Sequence, residues 1–315
     1  MTLPVSLRSL LSLGLTLKSF FNLGATPGSD ADDAPTSELL RRAQEARRLG
    51  RHDEAGTLLR LLLQTRRDHL GALRGLRDLA VEAERWREAL DVQQRVLGGV
   101  GSTERSPETE WLATIYYELG RAEIARGNAG GALGHFRSAV RADRSFVPAA
   151  LALGDAYESS GDHREAVRTW ERAAEVLPAL SLLARLERAY RQEGRPSRMI
   201  ALYRVAIDRA PDDLALAVAL GRVFLELEML DEAADQFEKV EVRAPGSPVV
   251  HALLGVVFER RGETREAFEE YRRALQLGHA FDWPYRCEGC GATAPAWQDR
   301  CAQCRRWNTL RPVRA

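Results

Sequence analysis

Residues 147–180 read VPAALALGDAYESSGDHREAVRTWERAAEVLPAL. Leu153-Gly154, Tyr157, Ala166, Trp170, Ala173 and Pro178 mark out one 34-residue unit of two antiparallel helices. Gly154 and Ala166 carry almost no side chain, so two antiparallel helices can approach closely there. Tyr157 and Trp170 are sized to fill the space between neighbouring helix pairs. Pro178 stops the second helix and sets the turn into the next unit.

The same set returns along the chain. Stepping back 34 residues gives Leu119-Gly120, Ala132, Phe136 and Ala139. Stepping forward, with one residue lost, gives Leu186, Tyr190, Tyr203, Ala206 and Pro211. Two further steps give Leu220-Gly221, Phe224, Ala233, Phe237, Pro245, and then Leu254-Gly255, Phe258, Ala267, Tyr271, Ala274. Two weaker units precede these, keyed on Ala55 and Ala89, with an insertion near Gly98 to Glu108 before the third. Period and residue types together are the tetratricopeptide pattern. They predict an all-α solenoid of about seven helix pairs over residues 38–281. The repeated aromatics and leucines read as core packing and not as a cofactor box.

Such a stack lines a concave face with the first helix of each pair. By register, Arg121, Asp155, Glu158, Arg188, Arg191 and Arg222 are candidates for a partner groove. The pattern lacks the asparagines and lysines of a carboxylate clamp, which argues against a chaperone-tail receptor.

Lys and Arg number 45, as do Asp and Glu, so no global field draws this chain to nucleic acid or anionic lipid. The six histidines are scattered, and none pairs by spacing with a cysteine or acid as a nucleophile relay would. Leu3 to Leu23 is rich in leucine and phenylalanine but carries Arg8 and Lys18. The stretch between those cations would span roughly 13 Å as a helix, against a hydrocarbon core of about 30 Å. Residues 1–23 are therefore expected as an amphipathic leader lying at a membrane interface. A true span and a plain soluble leader stay open. Residues 24–37 (GATPGSDADDAPTS) read as a flexible acidic linker.

The four cysteines all lie in the tail, as Cys287-x-x-Cys290 and Cys301-x-x-Cys304 separated by ten residues. Two such knuckles can fold onto each other and present four thiolates to one ion, either Zn2+ or a single iron. A body without cysteine fits a reducing compartment. Residues 282–315 are thus expected as a small metal-binding domain with Cys287, Cys290, Cys301 and Cys304 as ligands. Phe281, Trp283 and Trp307 are expected to dock it on the seventh pair. His279 lies near the tail, but four sulfurs already complete a tetrahedral set.

The tail reads Tyr285-Arg286-Cys287-x-x-Cys290-Gly291-x-Thr293-Ala294, then Trp297, Cys301-x-x-Cys304-Arg305-x-Trp307-x-Thr309-x-x-Pro312. Together with the repeats and the hydrophobic start, it resembles the lipopolysaccharide assembly protein B family, whose chains close on a rubredoxin-like, zinc-ribbon metal domain. The resemblance implies a non-enzymatic adaptor at the cytoplasmic face of the inner membrane. It further implies a membrane AAA+ protease as one partner and the lipid A pathway deacetylase as the client whose turnover is promoted. Here Arg8 and Lys18 interrupt the family's membrane segment, and Ala302 replaces a proline common in the second knuckle. Two other readings stand beside this one. One is a generic protein-interaction scaffold with a structural zinc cap. The other is an iron-bound, rubredoxin-like electron carrier. A nucleic-acid-binding ribbon is disfavoured, because six arginines against three acids over residues 282–315 nearly balance once four thiolates are counted.

Overall fold

The seven predicted pairs are present. The computed structural model describes residues 34–277 and 284–313. The expected leader over residues 1–23 lies outside them, as do Phe281 and Trp283. The helices are α1 (Ala34–Arg48), α2 (His52–Thr65), α3 (Leu70–Glu82), α4 (Trp86–Gly99), α5 (Arg105–Ala125), α6 (Ala129–Ala142), α7 (Val147–Ser159), α8 (His163–Val176), α9 (Leu180–Gln192), α10 (Pro196–Arg209), α11 (Leu214–Glu226), α12 (Leu230–Arg243), α13 (Pro248–Arg261) and α14 (Thr264–Gln276). No helix among the described residues is long and apolar enough to cross a membrane.

Helix α1 begins at Ala34, so the last four residues expected in the linker are already helical. Pro35 sits in the first turn, where its missing N–H costs nothing and its fixed φ suits a helix. The insertion before the third pair is also partly ordered. A 3-10 turn over Ser102–Glu104 leads straight into α5, which is 21 residues long.

The turn inside each pair has one recurring device. Gly50, Gly127, Gly161, Gly194 and Gly262 have φ between +66° and +84°. Glu84 and Glu228 occupy the same place in the other two pairs, at φ +55° and +58°. A left-handed residue at this point lets the next amide return to the last helical turn, as Asp162 N–H does to Tyr157 O at 2.9 Å. Asp162 then caps α8 by accepting from the Glu165 amide.

The chain divides into two compact units, Met1–Ala149 and Ala150–Ala315. Each has the same internal contact between its paired helices. A Cβ at Gly120 would lie 2.4 Å from the Phe136 ring. The corresponding distances are 2.0 Å for Gly154 and Trp170, 2.4 Å for Gly221 and Phe237, and 2.6 Å for Gly255 and Tyr271. No side chain fits there, so the ring lies directly on the helix backbone.

Two pairs break the rule with polar residues. In the second pair the equivalent residues are Arg77 and Gln93, joined at 3.1 Å and both buried. In the fifth they are Glu187 and Tyr203, joined at 2.8 Å. Each long side chain also clamps the next pair. Arg77 reaches Glu108 on α5 at 2.8 Å and lies over Trp111, while Glu187 accepts from Arg222 on α11 at 2.6 Å.

His251 forms a third polar joint, only 4% exposed. Its Nδ1 lies 2.7 Å from Glu270 on α14 and its Nε2 lies 3.0 Å from the Pro245 carbonyl. Both partners are acceptors, so the ring satisfies both only when both nitrogens carry protons. Burial opposes that charge, but the Pro245 carbonyl, Glu270 and the Glu241 carboxylate 3.8 Å away outweigh it and raise the pKa.

Two outcomes test this packing. Gly154→Ala should cost about 1–3 kcal/mol in urea unfolding followed by circular dichroism, because Trp170 must move. Gly134→Ala, where a Cβ meets nothing within 4 Å, should be neutral or stabilise by about 0.5–1 kcal/mol. Equal effects of the two would refute the close-contact account. For His251 the folded pKa lies above the unfolded value of about 6.5. Its stabilisation is therefore complete below that value and fades as pH rises through the folded one. An NMR titration placing His251 at or below 6.5 would contradict this.

Candidate metal centre

The tail folds around its cysteines. Strands β1 (Tyr285–Cys287), β2 (Thr293–Ala294) and β3 (Leu310–Pro312) form one antiparallel sheet in the order β2-β1-β3. Cys287 ends β1, pairs with Leu310, and is buried with Cys301. Tyr285, Ala292, Ala294, Trp297 and Cys304 pack around this small core.

The two knuckles are built alike. The Gly291 amide donates to Cys287 O at 2.8 Å, and the Arg305 amide donates to Cys301 O at 2.9 Å. The Cys287 amide donates to Ala292 O and the Cys301 amide to Arg306 O, both at 2.8 Å. The residue after each second cysteine is left-handed, Gly291 at φ +75° and Arg305 at φ +57°. Glycine is at ease there, while arginine takes on strain of roughly 1 kcal/mol. A Cβ at Gly289 would come 2.8 Å from the Arg306 guanidinium.

All four cysteines are free thiols, and their Sγ atoms lie within 4.8 Å of one another. Cys287 and Cys304 are separated by 3.6 Å and Cys290 and Cys301 by 3.7 Å. A tetrahedron with metal–sulfur bonds of about 2.3 Å has edges of roughly 3.8 Å. The donor set therefore fits one four-coordinate ion. Burial opposes ionisation of Cys287, but Thr309, the Gly289 and Cys290 amides and Cys304 outweigh it and bring the pKa down to about 6. Thr309 Oγ1 lies 3.2 Å from that sulfur, and the Gly289 amide donates to it at 3.3 Å. Burial pushes Cys304 up to about 12, the other three sulfurs add to it, and the Arg306 amide opposes. Cys290 is also raised. Four thiolates at this spacing need a cation to ionise together, so binding must release protons.

Thr309 was not singled out as a site residue from the sequence. Its place in the tail pattern is its signal in the sequence, while the contact to Cys287 comes from strand pairing. Trp307, expected to dock the tail, has the Arg300 guanidinium 5.1 Å from its ring centroid. Burial, reinforced by Asp213 at the start of α11, raises the Tyr285 phenol above its ordinary range.

The expected groove residues lie on first helices, joined by ion pairs. Arg185 donates to both oxygens of Asp155, at 2.9 and 3.1 Å, and Arg188 donates to Glu158 at 2.6 Å. Arg191 pairs with Glu187 and Glu226, and Arg222 pairs with the same two acids. Arg121 pairs with Glu118 and lies over the Tyr117 ring. Sequence register placed these residues on the right helices but did not reveal the partners that occupy them.

Residues 285–312 match the rubredoxin metal binding domain. Residues 117–181, 151–213, 185–248 and 218–280 match the tetratricopeptide repeat, together spanning just over half of the chain. The chain is 24% identical over 273 residues to lipopolysaccharide assembly protein B of Escherichia coli (strain K12), covering 84% of this chain and 68% of that protein. A shorter match, 25% over 125 residues, is to Protein O-mannosyl-transferase TMTC1 of Homo sapiens, covering 40% of this chain and 14% of that one. Among solved structures, a crystal structure of MamA protein aligns at a TM-score of 0.40 and 23% identity, covering 54% of this chain and 92% of that one.

Metal removal provides the test of the centre. A strong chelator should release one equivalent of zinc or iron and unfold residues 284–313, read as collapse of their dispersed amide signals, with helical dichroism at 222 nm kept. A tail that keeps its fold after complete metal removal would rule out a structural ion. A red, redox-active sample would identify iron and a colourless one zinc.

Proposed function

This chain belongs to the tetratricopeptide repeat family, and on that premise we propose that it is a non-enzymatic adaptor regulating lipopolysaccharide assembly. The observation carrying this reading is the likeness to lipopolysaccharide assembly protein B over 84% of the chain, with a four-sulfur tail following the repeats. Tetratricopeptide repeats present helix faces to other proteins, and no catalytic set was read from the sequence beside them.

In this reading the repeats hold a client or regulator, and the metal tail forms or orders a second contact. Two contacts on one chain raise the local concentration of one partner near the other. The client is the deacetylase of the lipid A pathway and the second partner a membrane-bound AAA+ protease, so the work is done at the cytoplasmic face of the inner membrane. An ion here would be held by Cys287, Cys290, Cys301 and Cys304 and would supply a cross-link between the two knuckles.

The first-helix residues Arg121, Asp155, Glu158, Arg188, Arg191 and Arg222 are proposed as the client-facing set. Each of the six is already held in an ion pair, so a charged client must compete for it. An apolar or hydrogen-bonding client gains more there than a strongly charged one.

The test is client turnover in cells that depend on this chain. Cys287→Ser with Cys290→Ser, at matched protein level, should lengthen the deacetylase half-life several-fold in a pulse-chase. An unchanged half-life would remove the tail from the mechanism. An unchanged half-life after deletion of the whole chain would remove the regulatory reading.

A further inference from the structure

Within each unit, a second helix followed by a further pair carries two residues, seven apart, on the side that faces that pair. They are Gly56 and Leu63, Leu90 and Leu97, Val167 and Ala174, Ile200 and Ile207, and Ala234 and Glu241. None of the ten is exposed. The first helix of the following pair packs against this side, as α3 does on α2, α5 on α4, α9 on α8, α11 on α10 and α13 on α12. On α4, Leu90 packs against a buried cluster that includes Ile115 and Leu119 of α5.

In the seventh pair the equivalent residues are Phe268 and Leu275, and they are 65% and 75% exposed. Arg265 and Arg272 lie on the same stripe of α14, both exposed, and Arg272 already donates to Glu269 at 2.6 Å. Terminal repeats ordinarily replace stacking residues with polar ones, because an open stacking face costs solubility. Here the two stacking residues stay large and apolar, and arginines alternate with them.

We propose that this stripe of α14 is a docking surface for an acidic amphipathic helix of a partner protein. That helix takes the place which the first helix of a next pair takes on the earlier second helices. Its apolar side covers Phe268 and Leu275, and its acidic flank meets Arg265 and competes with Glu269 for Arg272. The inference rests on the adaptor reading and gives it a contact point outside both the first-helix face and the metal tail.

The probe is a labelled synthetic peptide of residues 107–126, the part of α5 that covers Leu90, acetylated and amidated. It carries four glutamates against two arginines. Fluorescence anisotropy with the full metal-loaded chain should show saturable binding. Phe268→Ser with Leu275→Ser should weaken it at least tenfold, with helical dichroism unchanged. Val242→Ser, at a residue 83% exposed on α12, should leave it unaltered. Binding that survives the double substitution, or no saturable binding at all, overturns the proposal. So does light scattering that shows a dimer of the intact chain and a monomer of the double variant, because a second copy would then be the occupant. Peptide binding without any effect of the double substitution on deacetylase turnover would keep the docking surface and count against the adaptor reading alone.

Discussion

Aromatic rings resting on bare backbone set the geometry of the helix pairs. At Gly120, Gly154, Gly221 and Gly255 a ring from the partner helix occupies the volume a methyl group would need. That contact sets how near the two helices lie. The distance in turn sets which flanking residues meet the neighbouring pair. The left-handed residue in each turn works to the same end, returning the chain so that glycine and ring come opposite each other. Four pairs solve the contact by absence of a side chain. The second and fifth solve it with a hydrogen bond between long polar side chains, Arg77 with Gln93 and Glu187 with Tyr203.

Those polar solutions have a consequence for register. A buried ring on glycine is satisfied by packing alone and tolerates small slips. A buried guanidinium or carboxylate does not, because each unmet group costs the desolvation of a charge. Arg77 is met by Gln93, Asp78 and Glu108, and Glu187 by Tyr203, Arg191 and Arg222. Each set ties its own pair to the next. His251 does the same between the turn after α12 and helix α14. Polar joints of this kind contribute little net stability but disfavour alternative stackings.

The tail has a different physical basis. Its sheet holds three short strands, too little apolar area to order about thirty residues. The sulfur cluster supplies the rest. The Gly289 amide and the Thr309 hydroxyl both lie against the Cys287 sulfur, so that thiolate is favoured before an ion is considered, while Cys290 and Cys304 ionise only with one. The spacing of the sulfurs suits tetrahedral coordination and is far longer than a disulfide bond.

Much of this was legible along the chain. The seven pairs and the four clustered sulfurs arise from steric or coordination demands acting over a few residues, which leave a fixed spacing behind. What spacing alone did not show is which charges meet. Arg222 finds Glu187, 35 residues away, and Arg77 finds Glu108, 31 residues away, because stacked helices bring those side chains level. The proton on His251, the hydroxyl beside Cys287 and the open stripe on α14 are of the same kind. Each depends on what lies across a packed interface, and packing is decided by shape over the whole fold, whereas helix period and cysteine spacing are decided by the local backbone.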